Sequence, residues 1–419
     1  MDTEKRATSG SRIQERVTAA IDAIEDDLLA ISRDIHSHPE LNFEEHHAAA
    51  LLADDLERRG FDVERQAGGI DTAFVATRKG SRPGPTIALL AEYDALPGVG
   101  HGCGHNLIAI SNLGAGVGAA AALDELPGTI QVIGTPAEEG GGGKIKLLEG
   151  GVFEGVDVSL SSHPGSHRTV FRTDVPIEES FSLAMVGFRY EFRGKSAHAA
   201  ARPEAGVNAL NAVIHLFTGI DALRQHLRSD TRIHGIISDG GGAPNVVPDF
   251  AAANFMLRAK DRDYLRDEIV PRVRGVAEGA AAMTGAELEV KDYYPFYENV
   301  IPSNTLSTVI RDHAAALGIK IDPPPTPTGA GGSTDLGNVS QVMPTCAMSF
   351  AVSEVPIPGH SQAMAAAALT DLGHRNAIIT AKALALAAGD LLADPALLKS
   401  AREEFTSRQA AARAAPADA

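Results

Sequence analysis

Four short segments of the sequence concentrate side chains that bind metal ions. They read HGCGH (101–105), PAEEGGGG (136–143), SSHPG (161–165) and PGHS (358–361). Each comes directly after a predicted strand or lies in a loop rich in glycine or proline. A lone histidine near a turn is usually structural, but together these segments offer thiolate, imidazole and carboxylate groups. That combination is typical of a site for a divalent metal ion.

The spacing of these groups also suggests a division of roles. Cys103 and His105 are two residues apart, and on an irregular loop both can point into one site. Glu138 and Glu139 are adjacent, so on an extended chain they point in different directions. One can therefore bind metal while its neighbour acts as a general base on a water molecule. Asp94 ends a strand, where it could cap a turn or orient a ligand imidazole.

The elements that must position these groups alternate between strands and helices. Apolar runs with β-branched residues predict buried strands at 86–92 and 129–135, with a helix rich in small residues at 105–123 between them. Further helices are expected at 13–35 and 44–59. This order predicts an α/β sheet covered by helices on both faces. Open sheets of this kind build their sites at the carboxyl ends of the strands.

A second region starts near residue 181 and has a different order. Its pattern is strand, helix, strand, strand, helix, strand, which is the order of a ferredoxin-like split unit. We therefore expect an α+β domain inserted into the first domain. The predicted parts are a catalytic domain at 13–180 and 299–400, an inserted domain at 181–298, and loose tails at 1–12 and 406–419.

Composition excludes several classes of function. The chain has 37 Lys and Arg against 54 Asp and Glu, a formal net charge of −17, which argues against a nucleic-acid partner. No apolar run reaches the roughly 18 residues of a membrane span, so no membrane association is expected. The N-terminus lacks the apolar stretch of a secretory signal. The two cysteines, Cys103 and Cys346, cannot form a disulfide framework and favour a reducing, cytoplasmic compartment.

Seven motifs in this sequence resemble, in the same order, the metallopeptidases and amidohydrolases of the aminoacylase and carboxypeptidase G type. They are IHSHPELNFEE (35–45), AEYDALPGVGHGCGHN (91–106), TPAEEGGGGK (135–144), His-Pro (163–164), FRGKSAHAAARPEAGVNAL (192–210), GGSTDLGNVS (331–340) and PGHS (358–361). Within this group the chain resembles the amidohydrolase branch, which includes auxin-conjugate hydrolases. The segment GCGHN has Asn106 where many members have Asp. In this feature the chain most resembles the aminobenzoyl-glutamate and β-alanyl-dipeptide hydrolases.

The resemblance implies a di-metal catalytic domain, with a mixed sheet flanked by helices, and an inserted ferredoxin-like lid or dimerisation domain. It implies one or two divalent ions, Mn or Zn, and a homodimer or higher homo-oligomer formed through the lid. The residues that match the family's metal ligands are Cys103, His105, Glu139, His163 and His360.

Other matches concern the substrate, which we expect to be a small molecule. Glu138 matches the general base, and His198 matches a lid histidine that polarises the scissile carbonyl. Asn245 matches a residue that helps to hold the substrate or the oxyanion. Arg258, on an otherwise apolar strand, is the basic residue of this region that we expect to bind the substrate, and Asp94 is expected to orient a ligand from outside the coordination shell.

Three functions remain open from the sequence. The first is metal-dependent hydrolysis of an amide in an N-acyl or aminoacyl amino acid, similar to aminobenzoyl-glutamate or a dipeptide, by a metal-held hydroxide that Glu138 activates. The second is an aminohydrolase that releases ammonia from an activated aromatic amine, such as a nitro-substituted aminobenzoate. The third is a non-catalytic metal-binding or ligand-binding scaffold, which Glu138 argues against because a binder needs no general base.

Overall fold

The structure is a computed structural model that describes residues 2–171, 182–323 and 331–414. These residues form two compact units. The first unit contains residues 2–171, 301–323 and 338–414, and the second contains residues 182–300 and 331–337. The predicted domain boundary between residues 180 and 181 lies outside the described residues.

The strands belong to two sheets. In chain order they are β1 (Asp62–Arg65), β2 (Phe74–Lys79), β3 (Thr86–Ala91), β4 (Thr129–Gly134), β5 (Val158–Gly165), β6 (Ala184–Arg193), β7 (Arg232–Asp239), β8 (Phe250–Ala259), β9 (Glu287–Tyr297) and β10 (Thr345–Ala351).

Helices cover these sheets. They are α1 (Asp2–Asp22), α2 (Glu25–Ser37), α3 (His46–Arg58), α4 (His105–Ala120), α5 (Gly143–Glu149), α6 (Ala209–Leu223), α7 (Arg262–Tyr264), α8 (Val270–Thr284), α9 (Asn304–Ala316), α10 (Leu336–Ser340), α11 (Gln362–Ala367), α12 (Asp371–Ala393) and α13 (Pro395–Ala414).

The sheet of the first unit is mixed, as predicted. Its order is β1-β2-β4-β3-β5-β10, in which β3, β4, β5 and β10 run parallel and β2 runs antiparallel to its neighbours. The runs 86–92 and 129–135 form the central strands β3 and β4, where leucine, isoleucine and valine side chains are buried. Because four neighbouring strands are parallel, their carboxyl ends lie at one edge of the sheet.

The sheet of the second unit is antiparallel. Its order is β7-β8-β6-β9, and its strands pack with α6 and α8 around buried Tyr190, Phe192 and Phe255. Numbered within the unit, the order is 2-3-1-4, which is the arrangement of a ferredoxin-like split unit. The predicted fold class, an α/β domain with an inserted ferredoxin-like domain, is therefore confirmed.

Two local predictions differ from the structure. The predicted helix 13–35 is two helices, because Ile24 leaves helical geometry (φ −120°, ψ 9°) and Glu25 then opens α2 with an acidic first turn. Residues 331–337, predicted within the catalytic domain, belong to the second unit. There the Leu183 N–H donates to the Gly332 carbonyl at 2.8 Å.

The chain ends also differ from the prediction of loose tails at 1–12 and 406–419. Helix α1 begins at Asp2 and α13 continues to Ala414. The alanines and arginines at the end of α13 favour helix formation. Residues 415–419 lie outside the described part of the chain.

Helix α12 is long and apolar enough to cross a membrane, judged by length and composition. In the structure 78% of its most apolar window is buried, as in the core helix of a globular domain. It packs on α4 and α9, and its apolar side chains contribute to the core of the first unit.

Candidate metal centre

The metal-binding residue types predicted from the sequence meet at the carboxyl edge of the first sheet. Asp94 follows β3, Glu138 and Glu139 follow β4, His163 lies near the end of β5, and His360 follows β10. Parallel strands therefore bring together groups that are far apart in the sequence. This is the edge at which open α/β sheets hold ligands.

His163 corrects one detail of the sequence prediction, which placed it in a loop. It lies within β5, opposite Ser349 of β10. No apolar run marks this strand, because three of its buried side chains are serines. Their hydroxyls are satisfied by hydrogen bonds, such as Ser161 Oγ to the Leu90 carbonyl at 3.0 Å.

Two groups of ligand atoms share the Cys103 thiol. One group is Cys103, His105 and His163, and the other is Cys103, Glu139 and His360. Within each group the candidate ligand atoms lie within 4.8 Å of one another. The five predicted ligands therefore divide into two sets of three, and a single sulfur atom belongs to both. These side chains could together hold one or two divalent ions.

Asp94 orients two of these groups at once. Its Oδ1 accepts a hydrogen bond from His105 Nδ1 at 2.9 Å, and its Oδ2 accepts one from the Glu139 backbone N–H at 2.9 Å. Burial opposes the charge of Asp94, but His105 and the Glu139 N–H hold the pKa of this carboxyl below its usual value. With the His105 Nδ1 proton fixed on Asp94, Nε2 is the atom free to bind a metal ion.

The atoms at this edge fit a divalent cation. His105 Nε2 and Glu139 Oε1 are buried and have no hydrogen-bond partner among the described residues, yet they lie 3.8 Å apart. Buried polar atoms without partners are rare unless an ion or water satisfies them. Burial would lower the pKa of His105, but Asp94 raises it well above its usual value, so a positive charge is favoured here.

The Cys103 thiol also fits a metal ligand. Burial, with the nearby carboxylates of Glu138 and Glu139, raises its pKa to about 12. A bound cation would favour the thiolate strongly, because metal binding deprotonates a coordinating thiol. Burial lowers the pKa of His163, which keeps its imidazole neutral and able to bind metal. Its Nδ1 donates to the Pro164 carbonyl at 2.9 Å, and its Nε2 lies 3.4 Å from Cys103 Sγ.

Sequence reasoning missed a buried ion pair beside the centre. Glu92 directly follows β3, and its Oε1 lies 2.8 Å from Lys144 Nζ, while its Oε2 lies 3.6 Å from His105 Nε2. Both side chains are almost fully buried. Burial opposes the charge of Glu92, but Lys144 keeps its pKa below the usual value. The sequence did contain a signal for this ion pair. Glu92 lies two residues before Asp94 at the end of the same strand, and Lys144 directly follows the glycine run after Glu139.

Sequence reasoning also missed Glu45. This carboxyl is fully buried, and its Oε1 accepts a hydrogen bond from the Ala137 N–H at 2.8 Å. Ala137 has a left-handed backbone (φ 58°), which is unfavourable for a residue with a Cβ. Glu45 therefore stabilises the bend that directly precedes Glu138 and Glu139.

His360 is the exposed member of the centre. Its Nε2 lies 3.5 Å from Glu139 Oε2, while 61% of its side chain remains accessible. Its own φ is 53°, and its backbone N–H donates to the Gly102 carbonyl at 3.0 Å. That hydrogen bond ties the His360 loop to the loop that carries Cys103.

The second unit holds the remaining predicted site residues. The Ala199 N–H donates to the Asn245 carbonyl at 3.0 Å, and His198 pairs with Val246 in an isolated bridge, so His198 and Asn245 are neighbours. The His198 Nδ1 accepts hydrogen bonds from the Ala200 and Ala201 N–H groups at 3.2 Å each. This assigns the imidazole proton to Nε2, which is then a donor.

Arg258 lies on β8 and is partly buried. Its Nη1 donates to Ser333 Oγ at 3.3 Å, and its Nε has no hydrogen-bond partner among the described residues. Burial lowers the pKa of this guanidinium, opposed by the nearby Tyr294. Asp335, whose role the sequence left open, is fully buried in the same unit.

The sequence profile of Peptidase family M20/M25/M40 matches residues 88–374, which include every candidate metal ligand. The chain belongs to this family. The predicted resemblance is confirmed, and the protein is a metal-dependent amidohydrolase or peptidase. Membership in an enzyme family also argues against the scaffold alternative.

Several known proteins are similar to this M20 chain over nearly its whole length. A mouse enzyme named Xaa-Arg dipeptidase is 36% identical over 411 residues, which cover 94% of this chain and 92% of that protein. A component of the p-aminobenzoyl-glutamate hydrolase of Escherichia coli K12 is 30% identical, and the match covers 91% of this chain and 93% of that protein. A crystal structure of a dinuclear metal-binding M20 peptidase from Bacillus subtilis has a TM-score of 0.65 at 24% identity. It covers 89% of this chain and 99% of its own, and this likeness supports the fold.

Glu45 makes the stability of this M20 chain depend on pH. Burial, together with the charge of Asp94, raises the pKa of Glu45 from 4.5 to about 7. Between these values the folded chain keeps a proton that the unfolded chain has lost. The free energy of unfolding therefore falls as pH rises, and this fall ends near pH 7. In Glu45→Gln this contribution is absent. The free energy of unfolding of the variant should therefore rise by about 3 kcal/mol relative to that of wild type as the pH increases through this range.

The measurement is urea denaturation of the metal-free protein at several pH values. Glu44→Gln is the matched control, since Glu44 is the exposed neighbour and its variant should follow the wild-type pH profile. A Glu45→Gln difference that stays constant from pH 4.5 to pH 7 would contradict the assignment.

Proposed function

We propose that the protein is a dipeptidase that hydrolyses the amide bond of dipeptides with a basic C-terminal residue. The observation that carries the proposal is the position of buried Glu138, whose Oε2 lies 3.9 Å from His105 Nε2. Glu138 also forms a group with Glu92 and His105 in which the ligand atoms lie within 4.8 Å of one another, but it belongs to neither of the two sets that share Cys103. Such a group can move a proton, because it is near the reacting water but not locked to a metal ion.

The choice of a basic dipeptide rests on two observations. The mouse relative that is 36% identical over nearly the whole chain is named Xaa-Arg dipeptidase. The formal net charge of this chain is −17, which attracts cationic substrates and repels anionic ones over long range. Aminobenzoyl-glutamate, the substrate class in the name of the E. coli relative, carries the opposite charge and is the second candidate.

In this proposal Cys103, His105, Glu139, His163 and His360 hold one or two divalent ions, Mn or Zn. The bound metal supplies Lewis-acid chemistry by making a water molecule more acidic. Glu138 would accept a proton from a water molecule at this edge and donate it to the leaving amine. Asp94 keeps the His105 imidazole in the tautomer that binds through Nε2, and Glu45 fixes the backbone bend before Glu138.

The second unit carries side chains whose chemistry suits a substrate carbonyl and a substrate carboxylate. His198, with its proton on Nε2, donates a hydrogen bond to the carbonyl oxygen as negative charge develops there. One such donor contributes on the order of 3–4 kcal/mol to catalysis. Asn245, the neighbour of His198, helps to hold the same part of the substrate. Arg258 offers its guanidinium to the C-terminal carboxylate that every dipeptide carries.

Assembly and location are part of the proposal. Strand β7 is an edge strand of the second sheet, and it exposes Ile236 and Ile237 with side chains that are 63% and 46% accessible. Exposed apolar edge strands favour pairing with another chain. We infer a homodimer, or a higher homo-oligomer, formed through this unit. The free cysteines Cys103 and Cys346 favour a cytoplasmic location.

A substrate panel tests the proposed function. Purified protein loaded with Mn or Zn is assayed on dipeptides ending in Arg or Lys, β-alanyl dipeptides, N-acyl amino acids and aminobenzoyl-glutamate. The basic dipeptides should give the highest kcat/KM. A higher value for aminobenzoyl-glutamate would replace the proposed substrate, and release of ammonia from ring-activated aminobenzoates alone would replace the reaction.

Glu138→Gln separates the roles of the two adjacent glutamates. The variant should keep its full metal content but lose about 10²–10⁴-fold in kcat, because only the proton acceptor is removed. Glu139→Gln should lose bound metal, measured by elemental analysis after dialysis. Turnover close to wild type in Glu138→Gln would contradict its assignment as the general base.

Arg258→Met tests recognition of the substrate carboxylate. KM should rise by about 10- to 100-fold for a dipeptide with a free carboxylate, since a charge-assisted hydrogen bond is lost. KM should change little for the same dipeptide with an amidated C-terminus. Arg232→Met is the matched control, because Arg232 lies opposite Arg258 on β7 and is exposed. An equal rise in KM for both substrates would show that Arg258 does not bind the carboxylate.

A further inference from the structure

A second group of metal-binding side chains lies on the surface of the first unit, apart from the centre described above. It consists of Asp34 and His38 at the C-terminal end of α2 and His47 in the first turn of α3. Their candidate ligand atoms lie within 4.8 Å of one another. None of the three belongs to the Cys103 ligand sets, and the proposed reaction gives none of them a role.

We propose that Asp34, His38 and His47 form a separate surface site for a borderline divalent cation such as Zn²⁺. Two imidazoles and one carboxylate are a common protein ligand set for zinc, and they leave a coordination position open to water. All three side chains are half-exposed, with accessible fractions of 42%, 58% and 44%, so an ion can reach them from solvent.

The distance from Asp34 to His38 suits a tetrahedral ion, whereas the distance from Asp34 to His47 is too short for one. His38 Nδ1 also lies 3.0 Å from the Asp34 carbonyl oxygen, and an ion bound to Nδ1 would replace this hydrogen bond. With metal–ligand bonds of about 2.0–2.2 Å, neighbouring ligand atoms in a tetrahedron lie about 3.3–3.5 Å apart. Asp34 Oδ1 lies 3.2 Å from His38 Nδ1 and 2.5 Å from His47 Nε2. Entry of an ion therefore requires the exposed His47 side chain to move outward by about 1 Å, together with release of the shared protons.

The backbone holds these residues in place before any ion binds. The carboxylate of Glu40 accepts hydrogen bonds from the His47 N–H at 2.9 Å and from the Ala48 N–H at 3.0 Å, which fixes the start of α3. The His38 N–H donates to the carbonyls of Asp34 and Ile35 at 3.2 Å each, which closes the end of α2. Ligands that are already positioned lose less conformational entropy when a metal ion binds.

The charge state of Asp34 also suits a cation. A hydrogen bond from His47 lowers the pKa of Asp34, so this carboxyl is ionised at neutral pH. The rings of His38 and His47 are neighbours, with centroids 4.7 Å apart. An ion bound here would tie α2 to α3.

Zinc stoichiometry tests the site. The holoenzyme, with its catalytic centre already loaded, is dialysed against Zn²⁺, and bound zinc is measured by elemental analysis for wild type, His47→Ala and His46→Ala. His46 is the matched control, because it is the exposed neighbour on the same helix and lies outside the group. Wild type and His46→Ala should bind one more equivalent per chain than His47→Ala.

A second measurement separates loss of the site from loss of the fold. Zn²⁺ should raise the Tm of the holoenzyme and of His46→Ala, and this rise should be absent in His47→Ala and in His38→Ala. Turnover of all variants should remain at the wild-type level without added zinc. Equal zinc binding and equal Tm shifts in His47→Ala and His46→Ala would overturn the proposal. This result would leave the proposed dipeptidase function untouched.

Discussion

The buried carboxylate of Asp94 is the constraint on which the centre depends. One of its oxygens fixes the His105 imidazole, and the other fixes the backbone of Glu139, so it joins the loop after β4 to the start of α4. These two hydrogen bonds connect one candidate ligand from each of the two sets that share Cys103. A single side chain therefore determines the relative position of both sets, and a change in its geometry would be transmitted to both.

The centre is stable only if the negative charges gathered at the sheet edge are balanced. Glu92, Asp94 and Glu138 are buried there. Lys144 forms an ion pair with Glu92, and its charge also lowers the pKa of Asp94. The negative charge of Asp94 also raises the pKa of His105, which favours a positive charge at this position. A divalent cation supplies that charge without requiring a protonated ligand. Metal binding and the stability of this edge are therefore coupled.

The sequence predicted most of the fold because its signals were local. Apolar runs marked β3 and β4, and glycine-rich loops marked the ligands that follow them. Strand β5 is marked instead by buried serines. Their hydrogen bonds to β3, β10 and helix α4 join segments far apart in the sequence, so no local pattern reveals them. Glu45 was equally hidden, since a glutamate in a polar stretch resembles a surface residue until the tertiary structure buries it. His198 and Asn245 are neighbours because a β-bridge joins His198 to Val246. Their spacing in the sequence does not reveal this contact.

The different roles proposed for Glu138 and Glu139 follow from the backbone that precedes them. Ala137 has a positive φ, which costs roughly 1–2 kcal/mol for a residue with a Cβ. The hydrogen bond from its N–H to the buried Glu45 carboxyl offsets this cost. At the other end of the loop, a Cβ on Gly143 would lie 1.8 Å from the Pro136 carbonyl oxygen, so only glycine allows the chain to return so closely. The loop is thus closed at both ends. It holds Glu139 near Cys103 and His360, while both glutamates keep an oxygen within 4 Å of His105 Nε2.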